Sequence, residues 1–416
     1  MLEDVIAAKL ALRDLFEATP LQRNVHLSNV FGADIYLKRE DLTPVRSYKL
    51  RGAFNFMRKE IAAGRNDRVF ACASAGNHAQ GFAFCCRHFG VQGVIFMPVT
   101  TPQQKIEKTK TFGEGYIRIE LVGDIFDVCY AAARRFVEDN NGVMVPPFDH
   151  PDIIEGQATV AAEIADAWQN EDGDPDLVVM PVGGGGLSAG ITGFFNGRLA
   201  DETFIFAEPC GAPSLKRTLE AGEIVALDEV DNFVDGAAVA RIGDSNFEAL
   251  KRFSAQQVIL VPENAICVTM SEMLNVEGVV LEPAGALALT ALRQMDRQAI
   301  SGKKIIVLVS GGNFDFDRLP DVKERAMRYS GVKKYLILRL PQRPGALKDF
   351  LGLLGPEDDI ARFEYLKKTA RNFGSILIGI ETARPENFSA LFANLDRNGL
   401  KYQDITENEI LANLII

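Results

Sequence analysis

The stretch Leu177–Gly197 carries no charged side chain, and what interrupts it decides how the chain can fold. A long uncharged run raises the question of a membrane span. Pro181 and the four glycines Gly183–Gly186 break this one. Proline and consecutive glycines are the costliest residues in a helix interior. The run therefore reads as a strand (Leu177–Pro181), a tight turn and an apolar helix. A short strand that is apolar at every position is covered on both faces, as parallel strands are. Similar runs recur at Ile35–Lys38, Val69–Ala73, Val94–Met97, Phe204–Ala207 and Ile305–Val309. Helical patterns lie between them, among them Phe126–Asp139, with Asp124 placed to cap it, and Thr159–Gln169. Strand–helix alternation predicts an open, mostly parallel α/β architecture.

The pattern changes after Gly331. Tyr335–Leu340 alternates like a half-buried strand, and Arg343-Pro344-Gly345 starts a short helix ending near Gly355. Strand-like runs follow at Ile360–Lys367 and Ser375–Thr382, then a helix from Pro385 to near Gly399, then a last strand, Leu400–Ile405. The order βαββαβ is that of a small ferredoxin-like α+β unit. The expected division is thus residues 1–330 and 331–416, with the charged helical stretch Arg318–Ser330 as connector.

Composition narrows the function. Hydrophobic residues are 47% and charged residues 24% of the 416, an ordinary globular balance. Lys+Arg 45 against Asp+Glu 56 leaves a net charge of −11, which opposes phosphate backbones and argues against nucleic acid as the main partner. The six cysteines form no C-x-x-C pair and read as reduced core thiols; the four histidines show no metal-ligand spacing. No zinc centre is expected. The amphipathic stretch Met1–Phe16 lacks the apolar run of a signal peptide, so a cytoplasmic protein without a membrane partner is expected.

Four segments carry chemistry. Gly183-Gly184-Gly185-Gly186-Leu187 links a strand to a helix, where backbone N–H groups and the helix dipole suit a phosphate. A flexible loop is the plain alternative. Gly184-x-Gly186-x-x-Ala189 also fits a dinucleotide fingerprint, with Glu208 near the place of the ribose-binding acid. Lys49, in Ser47-Tyr48-Lys49-Leu50-Arg51-Gly52-Ala53, has apolar neighbours and could be desolvated enough to act as a nucleophile. Ser74-Ala75-Gly76-Asn77 follows a strand and opens a helix, suiting a carboxylate, although Ser74 and Asn77 could simply cap that helix. Ser310-Gly311-Gly312-Asn313 ends another strand, at the edge where ligands bind in parallel sheets, unless it is only a tight turn.

Taken together, KREDLTP…SYKLRGA, SAGNHAQG, PVGGGGL, EPAGALAL and VSGGN resemble the fold-type II pyridoxal-phosphate enzymes, and within them the threonine and serine dehydratases. The resemblance covers nearly the whole chain and implies two open, mostly parallel α/β subdomains. It implies that Lys49 forms the Schiff base with pyridoxal 5'-phosphate and later acts as general base. It further implies that Gly183, Gly184, Gly185, Gly186 and Leu187 hold the phosphate, that Asn77 bonds the ring hydroxyl and Ser310 the pyridine nitrogen. Ser74, Ala75, Gly76 and Asn77 would cradle the substrate carboxylate. Asp235–Val239 would flank the ring. Tyr48 stands where the family usually has Phe. Glu208 and Ala212 match part of a cation site of some relatives, but Ser214 replaces its Asp, so no metal is expected.

Leu336–Pro341, Arg343–Leu347, Arg362–Tyr365 and Ile378–Glu381 resemble the ACT-like regulatory domain of biosynthetic threonine dehydratases, present here in one copy where longer relatives carry two. The implied activity is deamination of L-threonine to 2-oxobutanoate and ammonia, at the entry to isoleucine synthesis. The implied effector is isoleucine, with Phe363 and Tyr365 as candidate contacts, and the implied assembly is a homotetramer. Serine dehydratase, racemase or a β-replacing synthase are alternatives within the class. A nicotinamide or flavin oxidoreductase and a non-catalytic amino-acid sensor are alternatives outside it.

Overall fold

The computed structural model describes residues 2–169, 171–366 and 373–408. The chain divides into two units, Met1–Asp315 and Phe316–Ile416. The helix Leu319–Tyr329, expected as a connector, belongs to the second.

The first unit contains two sheets. The larger has the order Leu21–Arg23, Asp34–Arg39, Lys304–Val309, Leu177–Pro181, Phe204–Pro209, Val258–Val261; only the first pairing is antiparallel. The smaller is wholly parallel, in the order Ile117–Leu121, Gly93–Met97, Phe70–Ala73, Val143–Met144. The expected mostly parallel α/β architecture is what forms. Its central strands are buried along their length because helices cover both faces: all of Leu177–Pro181, Phe70–Ala73 and Gly93–Met97 is buried.

Registers decide where the chemistry lies. Val309 pairs with Arg39, and Pro181 with Ala207. The segments that follow these strands therefore leave the sheet at its carboxyl edge, which is where parallel sheets bind ligands.

Several local expectations need correction. Asp124 does not cap Phe126–Asp139; Ile125 occupies that position, without a side-chain cap bond. The helix expected at Thr159–Gln169 runs from Pro151 to Trp168, with proline in its first turn and His150 accepting from the Asp152 N–H. Gly156 obscured its start in the sequence. A Cβ there would lie 2.5 Å from the Arg51 carbonyl, so the glycine permits two helices to touch. Cys210 is exposed, while the other five cysteines are buried.

The second unit carries a four-stranded antiparallel sheet, ordered Asp358–Leu366, Phe373–Thr382, Lys333–Pro341, Lys401–Asp404, with helices Ala346–Leu351 and Asn387–Arg397 in the connections. That is the expected βαββαβ order. Leu336, Leu338, Ile378, Ile380, Leu391 and Leu395 form its buried core. Lys367, the expected end of one strand, lies outside the described residues.

Candidate active site

Lys49 is the first residue of the helix Lys49–Ala62. The segment before it is sewn to the end of the strand Lys304–Val309. The Tyr48 N–H donates to the Ser310 carbonyl at 3.2 Å, Gly312 N–H to the Arg46 carbonyl at 3.0 Å, and Asn313 Nδ2 to the Val45 carbonyl at 2.7 Å. Lys49 and Ser310 are thus brought together by backbone pairing between segments far apart in sequence. Lys49 Nζ donates to the Pro147 carbonyl at 3.0 Å and lies 5.4 Å from the Tyr48 ring centroid and 5.8 Å from that of Phe148. Burial pushes the Lys49 amine down to about 8, against the opposing pull of Glu282. His78 follows on the next helix, held neutral with its pKa near 4 by burial and then by the Lys49 charge; its Nε2 meets the Val145 carbonyl at 3.0 Å.

One cavity is lined by Tyr48, Lys49 and Phe148 on one side and by the turn Gly183–Ser188 on another, with Gly236 and Val239 beside them. Glycine is required in the turn. Gly185 has φ +90°, and a Cβ on Gly184 would sit 2.4 Å from the Phe148 ring. The helix Gly186–Phe194 begins directly behind. Among the described residues, the N–H groups of Gly183, Gly184, Gly185, Gly186 and Leu187 meet no protein acceptor. Backbone donors converging at a helix start, with nothing of the protein's own to bond, fit a phosphate. An amine of lowered pKa across the same cavity fits a carbonyl partner. The residues present therefore fit pyridoxal phosphate.

Asn77 opens the helix Asn77–Phe89, but its side chain does not cap it; Gly76 is the capping residue. The Asn77 amide instead donates to Glu282 Oε1 at 2.6 Å and accepts from Asn313 Nδ2 at 2.7 Å. Lys108 donates to the Asn313 side-chain oxygen. Ser74 Oγ accepts from the Gly76 N–H at 3.1 Å, holding the Ser74–Asn77 loop in shape. Ser310 Oγ is buried and donates to the Ala284 carbonyl at 3.1 Å.

Glu282 is the residue that the sequence reading left without a role, although EPAGALAL contains it. It occupies the N-cap position of the buried helix Pro283–Gln294 without a side-chain cap bond, and burial, then the charge of Asp235, raises its carboxyl to about 7. Its contact with Asn77 reveals it, and that contact spans two helices.

Glu208 is taken up by its own neighbourhood. It accepts from the Leu215 N–H at 2.6 Å, the Lys216 N–H at 2.9 Å and Ser214 Oγ at 3.3 Å, at the start of the helix Ser214–Ala221. A carboxylate so engaged does not reach for a ribose, which removes the main support of the dinucleotide reading.

Comparison with known proteins agrees with this geometry. The family described as Pyridoxal-phosphate dependent enzyme matches residues 12–311, and the one described as C-terminal regulatory domain of Threonine dehydratase matches residues 324–415. The chain belongs to the pyridoxal-phosphate-dependent enzymes, with a regulatory domain of the threonine-dehydratase type. Within that class its relatives include biosynthetic L-threonine dehydratases. That of Bacillus subtilis (strain 168) is 42% identical over 99% of this chain and 96% of its own length. That of Lactococcus lactis subsp. lactis (strain IL1403) is 40% identical over 97% of each. Among solved structures, the processed form of threonine deaminase isoform 2 from Solanum lycopersicum superposes with TM-score 0.71 at 35% identity, covering 78% of this chain and 88% of that one. Among the described residues no helix is long and apolar enough to cross a membrane.

Proposed function

We propose that the chain is an L-threonine ammonia-lyase, converting L-threonine to 2-oxobutanoate and ammonia as the first step of isoleucine synthesis. Its full-length similarity to biosynthetic threonine dehydratases supports the substrate. The observation that carries the chemistry is Lys49, whose amine is lowered to about 8 and lies across one cavity from a turn of unengaged N–H groups.

In this reading Gly183, Gly184, Gly185, Gly186 and Leu187 hold the phosphate of pyridoxal phosphate, Asn77 bonds the ring hydroxyl and Ser310 the ring nitrogen. When bound, the cofactor supplies an electron sink that makes the substrate Cα–H acidic. Lys49 Nζ, neutral in a large share of molecules near pH 8, takes that proton. Ser74, Ala75, Gly76 and Asn77 cradle the threonine carboxylate, with the Ala75 and Asn77 N–H groups as its donors, since the Ser74 N–H bonds the Phe96 carbonyl and the Gly76 N–H bonds Ser74 Oγ. Ser310 Oγ is a neutral donor that can exchange the Ala284 carbonyl for a ring nitrogen without protonating it. The β-hydroxyl leaves as water, the proton it gains balancing the one that Lys49 Nζ takes from Cα, and the freed unsaturated amine tautomerises and hydrolyses to the oxo acid and ammonia.

The first unit is the catalytic domain in this reading and the second a regulatory one. Isoleucine is the effector, with Phe363 and Tyr365 as contacts; both are exposed on the edge strand Asp358–Leu366. The enzyme is cytoplasmic and works as a homotetramer, in which coupling passes through subunit interfaces. The test is direct: purified protein supplied with pyridoxal phosphate and L-threonine should form 2-oxobutanoate and ammonia in equal amounts. Turnover of L-serine with none of L-threonine would overturn the substrate assignment.

A further inference from the structure

We propose that Asn246 is a positioning residue that sets the direction of the Gly184–Gly185 peptide, so that the Gly185 N–H is aimed at the phosphate before it arrives. This rests on the assignment of the glycine turn to the cofactor phosphate.

Asn246 lies on the short helix Asp244–Leu250 and is fully buried. Its Nδ2 donates to the Gly184 carbonyl at 2.7 Å, and the Gly243 N–H donates to the same oxygen at 3.2 Å. In a trans peptide the C=O and the following N–H point in opposite directions, and none of the described peptides is cis. Two donors drawing the Gly184 oxygen toward the Asp244–Leu250 helix therefore turn the Gly185 N–H the other way. Gly183–Gly186 line the cavity with Lys49, whereas Asn246 does not. Because Asn246 is not among the residues that line this cavity, we take the side opposite it as the cavity side; the Gly185 N–H meets no acceptor among the described residues.

Two further contacts hold the arrangement. A Cβ on Gly185 would lie 3.1 Å from the Asn246 Cβ, so the turn rests directly on this side chain. The strap Pro147–Asp149 ties the same helix to the nucleophile. Asp149 accepts from the Asp244 and Ser245 N–H groups at 2.8 and 2.9 Å, while the Pro147 carbonyl accepts from Lys49 Nζ at 3.0 Å. Asn246 Oδ1, by contrast, is buried without a partner among the described residues. The residue is engaged only through its donating end. An aspartate of the same size would replace that donor with an oxygen facing a carbonyl.

A general packing defect would weaken all ligands alike; loss of an aimed N–H weakens only the phosphorylated one. The experiment titrates cofactor-free protein with pyridoxal 5'-phosphate and with pyridoxal, following the visible band, in wild type, Asn246→Ala, Asn246→Asp and Gly184→Ala. We expect Asn246→Ala to lose roughly tenfold in affinity for pyridoxal phosphate, the scale of one buried hydrogen bond, and Asn246→Asp to lose more. Affinity for pyridoxal should stay at the wild-type value in both. Equal losses for the two ligands, or no loss in either variant, overturn the proposal. If Gly184→Ala loses the preference for the phosphorylated ligand while the Asn246 variants keep it, the turn assignment stands and only the role of Asn246 falls. If wild type itself shows no preference, the turn assignment falls and the inference with it.

Discussion

The Asn77 side chain donates to Glu282 Oε1 at 2.6 Å, joining the first residue of one helix to the capping residue of another. Glu282 is raised from 4.5 to about 7, first by burial and then by Asp235. A buried acid with a raised pKa holds its proton more tightly folded than unfolded. Its contribution to stability is therefore greatest below about 4.5 and falls as pH rises to about 7. Glu282→Gln keeps the acceptor for Asn77 and removes the titration. Urea midpoints of the variant should decline less than those of wild type across that interval. Parallel profiles would show that Glu282 ionises freely in the folded protein.

Lys49 gives a prediction of opposite sign. A lysine lowered from 10.5 to about 8 is more often neutral when folded, and only the neutral amine attacks a carbonyl. Capture of pyridoxal phosphate by cofactor-free protein should accelerate with rising pH and level off above about 8. Borohydride should then fix the cofactor on the peptide containing Lys49, and Lys49→Ala should lose turnover by many orders of magnitude. Labelling of another lysine, or an active Lys49→Ala, would rule this nucleophile out.

Ser310 separates hydrogen bonding from protonation. Ser310→Ala should cost on the order of 1 kcal/mol in turnover, as one neutral hydrogen bond does. Ser310→Asp should keep the fold and slow elimination further, because a carboxylate favours the protonated ring nitrogen. Steady-state rates and the visible spectrum of both variants check this; unchanged values in both would place Ser310 away from the ring.

Arg51 is the third residue of the helix that Lys49 opens, and its buried guanidinium bonds Glu40 Oε2 at 2.7 Å and Glu163 Oε2 at 2.7 Å. Lys38 Nζ, also buried, reaches Glu163 Oε2 at 2.6 Å. Burial works against the Glu163 carboxylate, but Arg51 and then Lys38 outweigh it and hold its pKa well below the ordinary 4.5. The stability this supplies is present above about 4.5 and is lost as pH falls through the lower folded value. Glu163→Ala leaves two buried cations short of a partner and should cost about 3–5 kcal/mol, read as a shifted denaturant midpoint. A cost near zero would mean that water compensates the cations.

How far the sequence reached depends on whether a feature is local. Leu177–Pro181 and Phe126–Asp139 were legible because an all-apolar strand and a periodic helix declare themselves within a few residues. Leu21–Arg23 and Val143–Met144 were not, since two or three residues pair only because a neighbour offers an edge. The same holds at the site. The glycine turn is a local motif, whereas Glu282, Phe148 and Asn246 acquire their roles by contacts across the fold. The network of Lys38, Glu40, Arg51 and Glu163 was equally hidden, because charged residues in a sequence ordinarily signal a solvated face.

The second unit has its own sheet and core, and none of the chemistry assigned to Lys49, Asn77 and Ser310 calls on it. Phe363 and Tyr365 lie two apart on the strand Asp358–Leu366, so they share a face, and they pair with Ile378 and Ile376. The strand stands at the sheet edge, where main-chain groups are open on one side. Apolar side chains beside main-chain groups that pair with no strand on that side, among the described residues, suit an amino acid with an aliphatic side chain. If isoleucine binds there and favours a less active state, apparent threonine affinity should change roughly 5- to 150-fold for a coupling of 1–3 kcal/mol. By reciprocity, threonine should weaken isoleucine binding by the same factor. Threonine titrations of the full chain with and without isoleucine measure the shift. Phe363→Ala and Tyr365→Ala should reduce it while leaving turnover without isoleucine unchanged. A chain ending near Asp315, where the first unit ends, should still deaminate threonine and ignore isoleucine. No shift at saturating isoleucine in the full chain would leave the second unit as an assembly module or a sensor of another ligand.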